Sequence, residues 1–125
     1  MDLYREYILE HYRNPKNFGH LPDPDIVVED GNVSCGDKIV VELKKSEQKG
    51  KKVVSDIRFS GVGCAVSIAS ASLLTESVKG KTVDEILKLG REDILELLGI
   101  SLTPSRTKCA LLSLEVLQKA VSSLK

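Results

Sequence analysis

Three cysteines, Cys35, Cys64 and Cys109, stand far apart in a chain of 125 residues, and the first is followed by Gly36 and then Asp37. An odd number of thiols cannot pair entirely among themselves, so each is either a small buried hydrophobe or a metal ligand. A ligating sulfur must be a thiolate. Gly61 and Gly63 precede Cys64 where a helix is expected to begin, and there unpaired backbone N–H groups and the helix dipole favour negative charge. In an extended backbone residues i and i+2 point the same way, so Cys35 and Asp37 can face one centre, with Gly36 free to adopt geometry that other residues resist. Three sulfurs and one oxygen make the four ligands of tetrahedral zinc or the outer positions of a 2Fe-2S cluster. A hard carboxylate oxygen suits such a sulfur-rich centre poorly, so the metal would be held less firmly than by four thiolates. The competing reading of Asp37 is a turn residue accepting local backbone bonds. No local CxxC pair strengthens the spacing argument.

The elements that must bring these residues together follow from periodicity. Leu3, Tyr7, Ile8 and His11 share one side of a short helix that ends near Asn14-Pro15, since proline disfavours α geometry in the residue before it. "PKNFGHLPDPD" is loop. Ile39, Val41 and Leu43 alternate with Lys38, Glu42 and Lys44, and Val53, Ile57 and Phe59 with Asp56 and Arg58. These read as two half-buried strands of an antiparallel hairpin joined through "SEQKGK", with Cys35 at one end. A third strand is expected near Ile26 to Glu29. An Ala/Ser/Leu-rich helix over Ala65 to Lys79 stops at Gly80. Thr82 and Glu85 form a capping box for Val83 to Leu89, and another helix covers Asp93 to Leu98. Thr103-Pro104 opens the last helix, which buries Leu114, Leu117, Val121 and Leu124. Strands first and helices afterwards predict an α+β domain over residues 1–125, a small three-stranded antiparallel sheet with helices packed on one face.

Composition narrows the function classes. Apolar residues make up 42% of the chain, enough for a core, and Lys plus Arg equals Asp plus Glu at 18 each, so no net field draws polyanions. That balance argues against nucleic acid as partner. No apolar run approaches the roughly 20 residues of a membrane span, and the amino terminus lacks the continuous apolar region of a signal peptide. A cytoplasmic protein is expected, in which stable disulfides are disfavoured.

Four blocks in order, "EHYRNPKNFG", "SCGD", "FSGVGCAVSIASASLLTESVKGK" and "SRTKCALL", cover nearly the whole chain. On them the chain resembles the IscU/NifU-amino-terminal iron-sulfur scaffold proteins. The resemblance implies an IscU/SufE-like α+β fold with the cysteines clustered at one exposed end, and a platform, not an enzyme, on which a 2Fe-2S cluster is built. It matches Cys35, Cys64 and Cys109 to the scaffold cysteines, Asp37 to the aspartate that keeps the cluster labile, and Cys109 to the main persulfide acceptor. Sulfur would come from a cysteine desulfurase, iron and electrons from other donors, and the cluster would pass to carriers or apo iron-sulfur proteins. An exposed cluster is compatible with sharing between two protomers in a homodimer.

Two positions depart from the IscU pattern. Lys108 stands where those proteins commonly have histidine. A protonated lysine has no lone pair to give, so it can pair with Asp37, attract an anionic cluster, or serve as a solvated charge. Lysine there is similar to the SufU branch of zinc-dependent sulfurtransferases, which makes Zn2+ the alternative occupant of a cluster-free form, although the short connection from Gly80 to Cys109 is IscU-like. "LTPSR", residues 102–106, replaces Leu-Pro-Pro-Val-Lys, which argues against release assisted by a dedicated Hsp70-type chaperone. His11 and His20 are given no metal role.

Overall fold

The structure, a computed structural model, describes residues 3–32, 36–99 and 102–124. Its elements run α1 (Leu3–Arg13), β1 (Ile26–Asn32), β2 (Asp37–Gln48), β3 (Lys51–Val62), α2 (Ala65–Val78), α3 (Val83–Leu87), α4 (Arg91–Leu98) and α5 (Pro104–Ser122). The strands form one antiparallel sheet in the order β1-β2-β3. This is the expected α+β arrangement, and every expected element is present.

The strands are longer than the alternation suggested. Only Lys49 and Gly50 connect β2 to β3, both with positive φ, 53° and 76°. That pair of left-handed residues matches the twist of a tight hairpin, so "SEQKGK" is mostly strand and not a six-residue turn. Register then fixes what meets at the far end. Asn32 lies opposite Asp37, and Lys38 lies opposite Val62, with one irregularity between Lys44 and Lys45. The start of β2 and the end of β3 are therefore neighbours.

Ile39, Val41, Leu43, Ile57 and Phe59 project from one face and are buried against α2 and α5. Each such side chain contributes roughly 1.5–3 kcal/mol through burial. On α5, Leu114, Leu117, Val121 and Leu124 are all buried, as their spacing predicts. The Thr82–Glu85 capping box is formed in both directions. Thr103 caps α5 by accepting the Arg106 N–H at 3.4 Å, with Pro104 in the first turn.

The loop from Asn14 to Asp25 is a strap over the opposite face. Phe18 bridges Phe59 at the free edge of β3, while Asp25 N–H donates to Leu43 O at 2.8 Å beside β1. Between these anchors His20 Nδ1 donates to Glu42 Oε2 at 2.5 Å, and Leu21 N–H donates to Glu42 Oε1 at 3.1 Å. His11 is buried where α1 crosses α2, its Nδ1 lying 2.7 Å from Ser72 Oγ, which also accepts Lys16 N–H at 2.8 Å.

Candidate metal centre

Three segments converge at the β2-start end of the sheet. Asp37 is the first residue of β2, Cys64 is the N-cap of α2 immediately beyond β3, and Cys109 lies in the second turn of α5. One ligand atom from each, a carboxylate oxygen and two sulfurs, fall within 4.8 Å of one another. Cys35 lies outside the described residues. Cys64 and Cys109, 45 residues apart in sequence, come together with Asp37 because the antiparallel register returns β3 to the start of β2, and because α5 packs across β1 and β2.

Asp37 is buried. Its Oδ1 accepts the backbone N–H of Cys64 at 3.1 Å, whereas its Oδ2 is buried with no hydrogen-bond partner. The local-turn reading of Asp37 therefore gives way: its backbone partner lies 27 residues downstream. A buried carboxylate oxygen left without a partner is costly, and an ion bound beside it would satisfy it. Gly36 has φ 70°, left-handed, so the chain bends before Asp37 and does not simply extend through it.

Two glycines shape the approach. Gly61 has φ 138°, and a Cβ there would stand 1.9 Å from Lys38 O, so the hairpin closes only without a side chain. A Cβ on Gly63 would stand 2.2 Å from Ser67 Oγ and 2.9 Å from Asp37 Oδ1. Gly63 is thus the gap through which Asp37 reaches the start of α2.

Cys64 carries the more accessible of the two described sulfurs; Cys109 is only 2% exposed. Burial pushes the Cys64 thiol up. The Ser67 N–H and hydroxyl, the Val66 N–H and Cys109 outweigh that and bring it below the ordinary thiol value. The expected effect of a helix start on a thiol is present, with Ser67 as its chief contributor. Sequence reading passed over Ser67; the signal was its place three residues after a cap residue, where N3 groups face the cap side chain. Lys108 is exposed on α5 beside buried Cys109.

Next to the centre, Tyr12, Arg13, Pro15, Phe18, Val62, Gly63 and Ile68 line an open groove of about 480 Å3. Tyr12, Phe18 and Val62 are exposed apolar side chains along it. No described helix is long and apolar enough to cross a membrane.

Comparison with known proteins agrees with this architecture. Residues 3–125 match the family model described as the NifU-like N terminal domain. The chain is 39% identical to the zinc-dependent sulfurtransferase SufU of Bacillus subtilis, over 96% of this chain and 90% of that protein. It is 41% identical to the iron-sulfur cluster assembly scaffold protein IscU of Aquifex aeolicus, over 94% of this chain and 73% of the relative. Among solved structures, the putative iron-sulfur cluster assembly scaffold protein for the SUF system from Fervidobacterium islandicum superposes with a TM-score of 0.75 at 27% identity, covering 93% of this chain and 94% of that one.

Proposed function

Because this chain belongs to the NifU-like N-terminal domain family, we propose that it is a scaffold on which a 2Fe-2S cluster is assembled and from which the labile cluster passes to acceptor proteins. The observation that carries the proposal is the convergence of Asp37, Cys64 and Cys109, in which a carboxylate oxygen of Asp37 lies close to two sulfurs and Asp37 Oδ2 is buried without a hydrogen-bond partner. Cys35 is proposed as the remaining sulfur ligand. Two soft thiolates and a hard oxygen fit iron or zinc, and the oxygen keeps the grip reversible. The cluster is cargo, so the protein holds and hands on and has no turnover of its own.

Sulfur would arrive from a cysteine desulfurase. A scaffold thiolate attacks the outer sulfur of the donor's persulfide; the new S–S bond forms as the old one breaks, and the donor cysteine leaves as a thiolate. Family resemblance gives this role to Cys109, but burial counts against Cys109 in the arrangement seen here, and the start of α5 must open before it can react. The groove of exposed aromatic and apolar side chains bordering Gly63 supports docking of a protein partner next to the centre. Iron and electron donors, recipient apo-proteins, a homodimer sharing the cluster and a cytoplasmic setting belong to the same proposal.

The likeness to SufU, together with Lys108, favours a second reading, a zinc-dependent sulfurtransferase that relays sulfur without forming a cluster. Anaerobic incubation with iron, cysteine and an active desulfurase separates the two. The scaffold gives the visible absorption of a 2Fe-2S chromophore, and Asp37→Ala prolongs its lifetime. One firmly held zinc, stimulation of desulfurase turnover and no chromophore would instead establish the relay.

A further inference from the structure

We propose that Cys64 and Cys109 form a peroxide-sensitive thiol pair: hydrogen peroxide oxidises Cys64, Cys109 resolves it as an intramolecular disulfide, and the closed pair withdraws both sulfurs from the centre until a dithiol reopens it.

The two sulfurs lie within 4.8 Å of each other. A disulfide needs about 2.05 Å between sulfurs, and staggered rotamer changes at two side chains on adjoining helices close that gap. Cys64 caps α2 and Cys109 lies in the second turn of α5, helices that pack against each other, so neither sulfur has to travel with a loop. Their accessibilities differ in the way such a pair requires. Cys64 is half-buried, next to Gly63 on the rim of the open groove, where a molecule as small as peroxide reaches it. Cys109 is 2% exposed, so its nearest reactant is the Cys64 sulfur and not a molecule in solution. An accessible thiol beside a second one that resolves it is the arrangement of redox-sensing cysteines.

The steps balance with peroxide as the only oxidant. The Cys64 thiolate attacks one peroxide oxygen; an S–O bond forms, the O–O bond breaks, and hydroxide leaves to become water. The Cys109 thiolate then attacks the sulfenic sulfur of Cys64; the S–S bond forms, the S–O bond breaks, and a second water leaves. Two thiols have lost two electrons, and one peroxide has become two waters. A dithiol reverses this by attacking the accessible Cys64 sulfur, with Cys109 leaving as thiolate, and its second thiol then frees Cys64. Where thiol buffers keep most cysteines reduced, such a bond is transient, which suits a signal more than a staple. What closure does to the centre follows from the function proposed above, whereas the reactivity of the pair does not depend on it. Linked sulfurs neither ligate metal nor accept sulfur from a persulfide.

The test uses the full chain, treated with chelator and reductant and then separated from both, with hydrogen peroxide as the probe. Thiols that survive are alkylated in denaturant, and tryptic peptides are mapped without reduction; Cys35, Cys64 and Cys109 fall in three different peptides. The expected result is a link between the Cys64 and Cys109 peptides in a monomer whose mass has fallen by two hydrogens. Two of the chain's three thiols disappear together, Cys35 is alkylated, and dithiothreitol restores all three. Cys35→Ser forms the same link. With Cys109→Ser added, the same dose carries Cys64 on to sulfinic acid, which dithiothreitol does not restore. Wild type alone can overturn the inference, so nothing hangs on whether a variant folds. A link that includes Cys35, a link between two chains, Cys64 driven to sulfinic acid with Cys109 still alkylated, or all three thiols intact after excess peroxide would each do so. None of these readings involves iron or a desulfurase, so failure here is separate from failure of the scaffold reading.

Discussion

At the residue scale, one sulfur is prepared for chemistry and another is sheltered. Hydrogen bonds from the first turn of α2 outweigh the burial of Cys64 and hold its thiol below the ordinary value. Cys109, a few ångströms away, is buried. For a thiol whose folded value is depressed, the linked stability is present above the unfolded value and fades as pH falls through the folded one. In reactivity the sign is plainer, since more thiolate is present at any pH below the unfolded value. Alkylation of the metal-free protein, followed by peptide mass spectrometry, should reach its half-maximal rate for Cys64 at a lower pH than a short peptide of the same local sequence. Cys109 should lag until denaturant is added. Equal pH profiles for Cys64 and the peptide would remove the electrostatic argument. Asp37, Cys64 and Cys109 were legible as candidates because residue type and spacing are local. Burial of Cys109 was not, because it depends on how α5 lies against the sheet, which no local pattern encodes.

The elements show the same division. Alternation located β2 and β3, and cap residues located α2 to α5, since each of these signals is written within a few residues. Glu42 shows where locality stops. It sits on the polar side of an alternating strand, opposite Val27 and Arg58, and reads as solvated. In the fold Arg58 turns instead to Asp56, at 2.8 Å, and the strap buries Glu42 under His20 and Leu21. A buried carboxylate accepting two hydrogen bonds should contribute more than a surface pair. Glu42→Ala is expected to cost about 2 kcal/mol, and Glu42→Gln less, because an amide oxygen still accepts the Leu21 N–H. Urea unfolding measures the loss, and hydrogen exchange should quicken at Gly19 and Asp25, the strap amides bonded to β3 and β2. A change within a few tenths of a kcal/mol, with unaltered exchange, would mean that the strap's other anchors hold it down without Glu42.

Across the whole molecule, the two ends of the sheet have different dependencies. At one end the two-residue Lys49-Gly50 turn joins β2 directly to β3. At the other, the start of β2, the cap of α2 and the second turn of α5 meet around the Asp37 carboxylate, whose Oδ2 has no hydrogen-bond partner. A metal ion there would tie three elements that the chain connects only through long excursions, and a ligand that binds the folded state alone stabilises it by mass action. With free zinc about a hundredfold above its dissociation constant, the gain is about 2.7 kcal/mol. For a domain of this size that raises the melting temperature by roughly 10 °C. Calorimetry of zinc-loaded and chelator-treated protein measures the difference. Hydrogen exchange gives its location: protection should rise at Cys64 to Ile68 and at Thr107 to Ala110 and stay unchanged beside the Lys49-Gly50 turn. Uniform protection along the chain would show an effect spread over the whole fold. A melting temperature indifferent to metal would show that the orphaned oxygen of Asp37 is satisfied by something other than an ion.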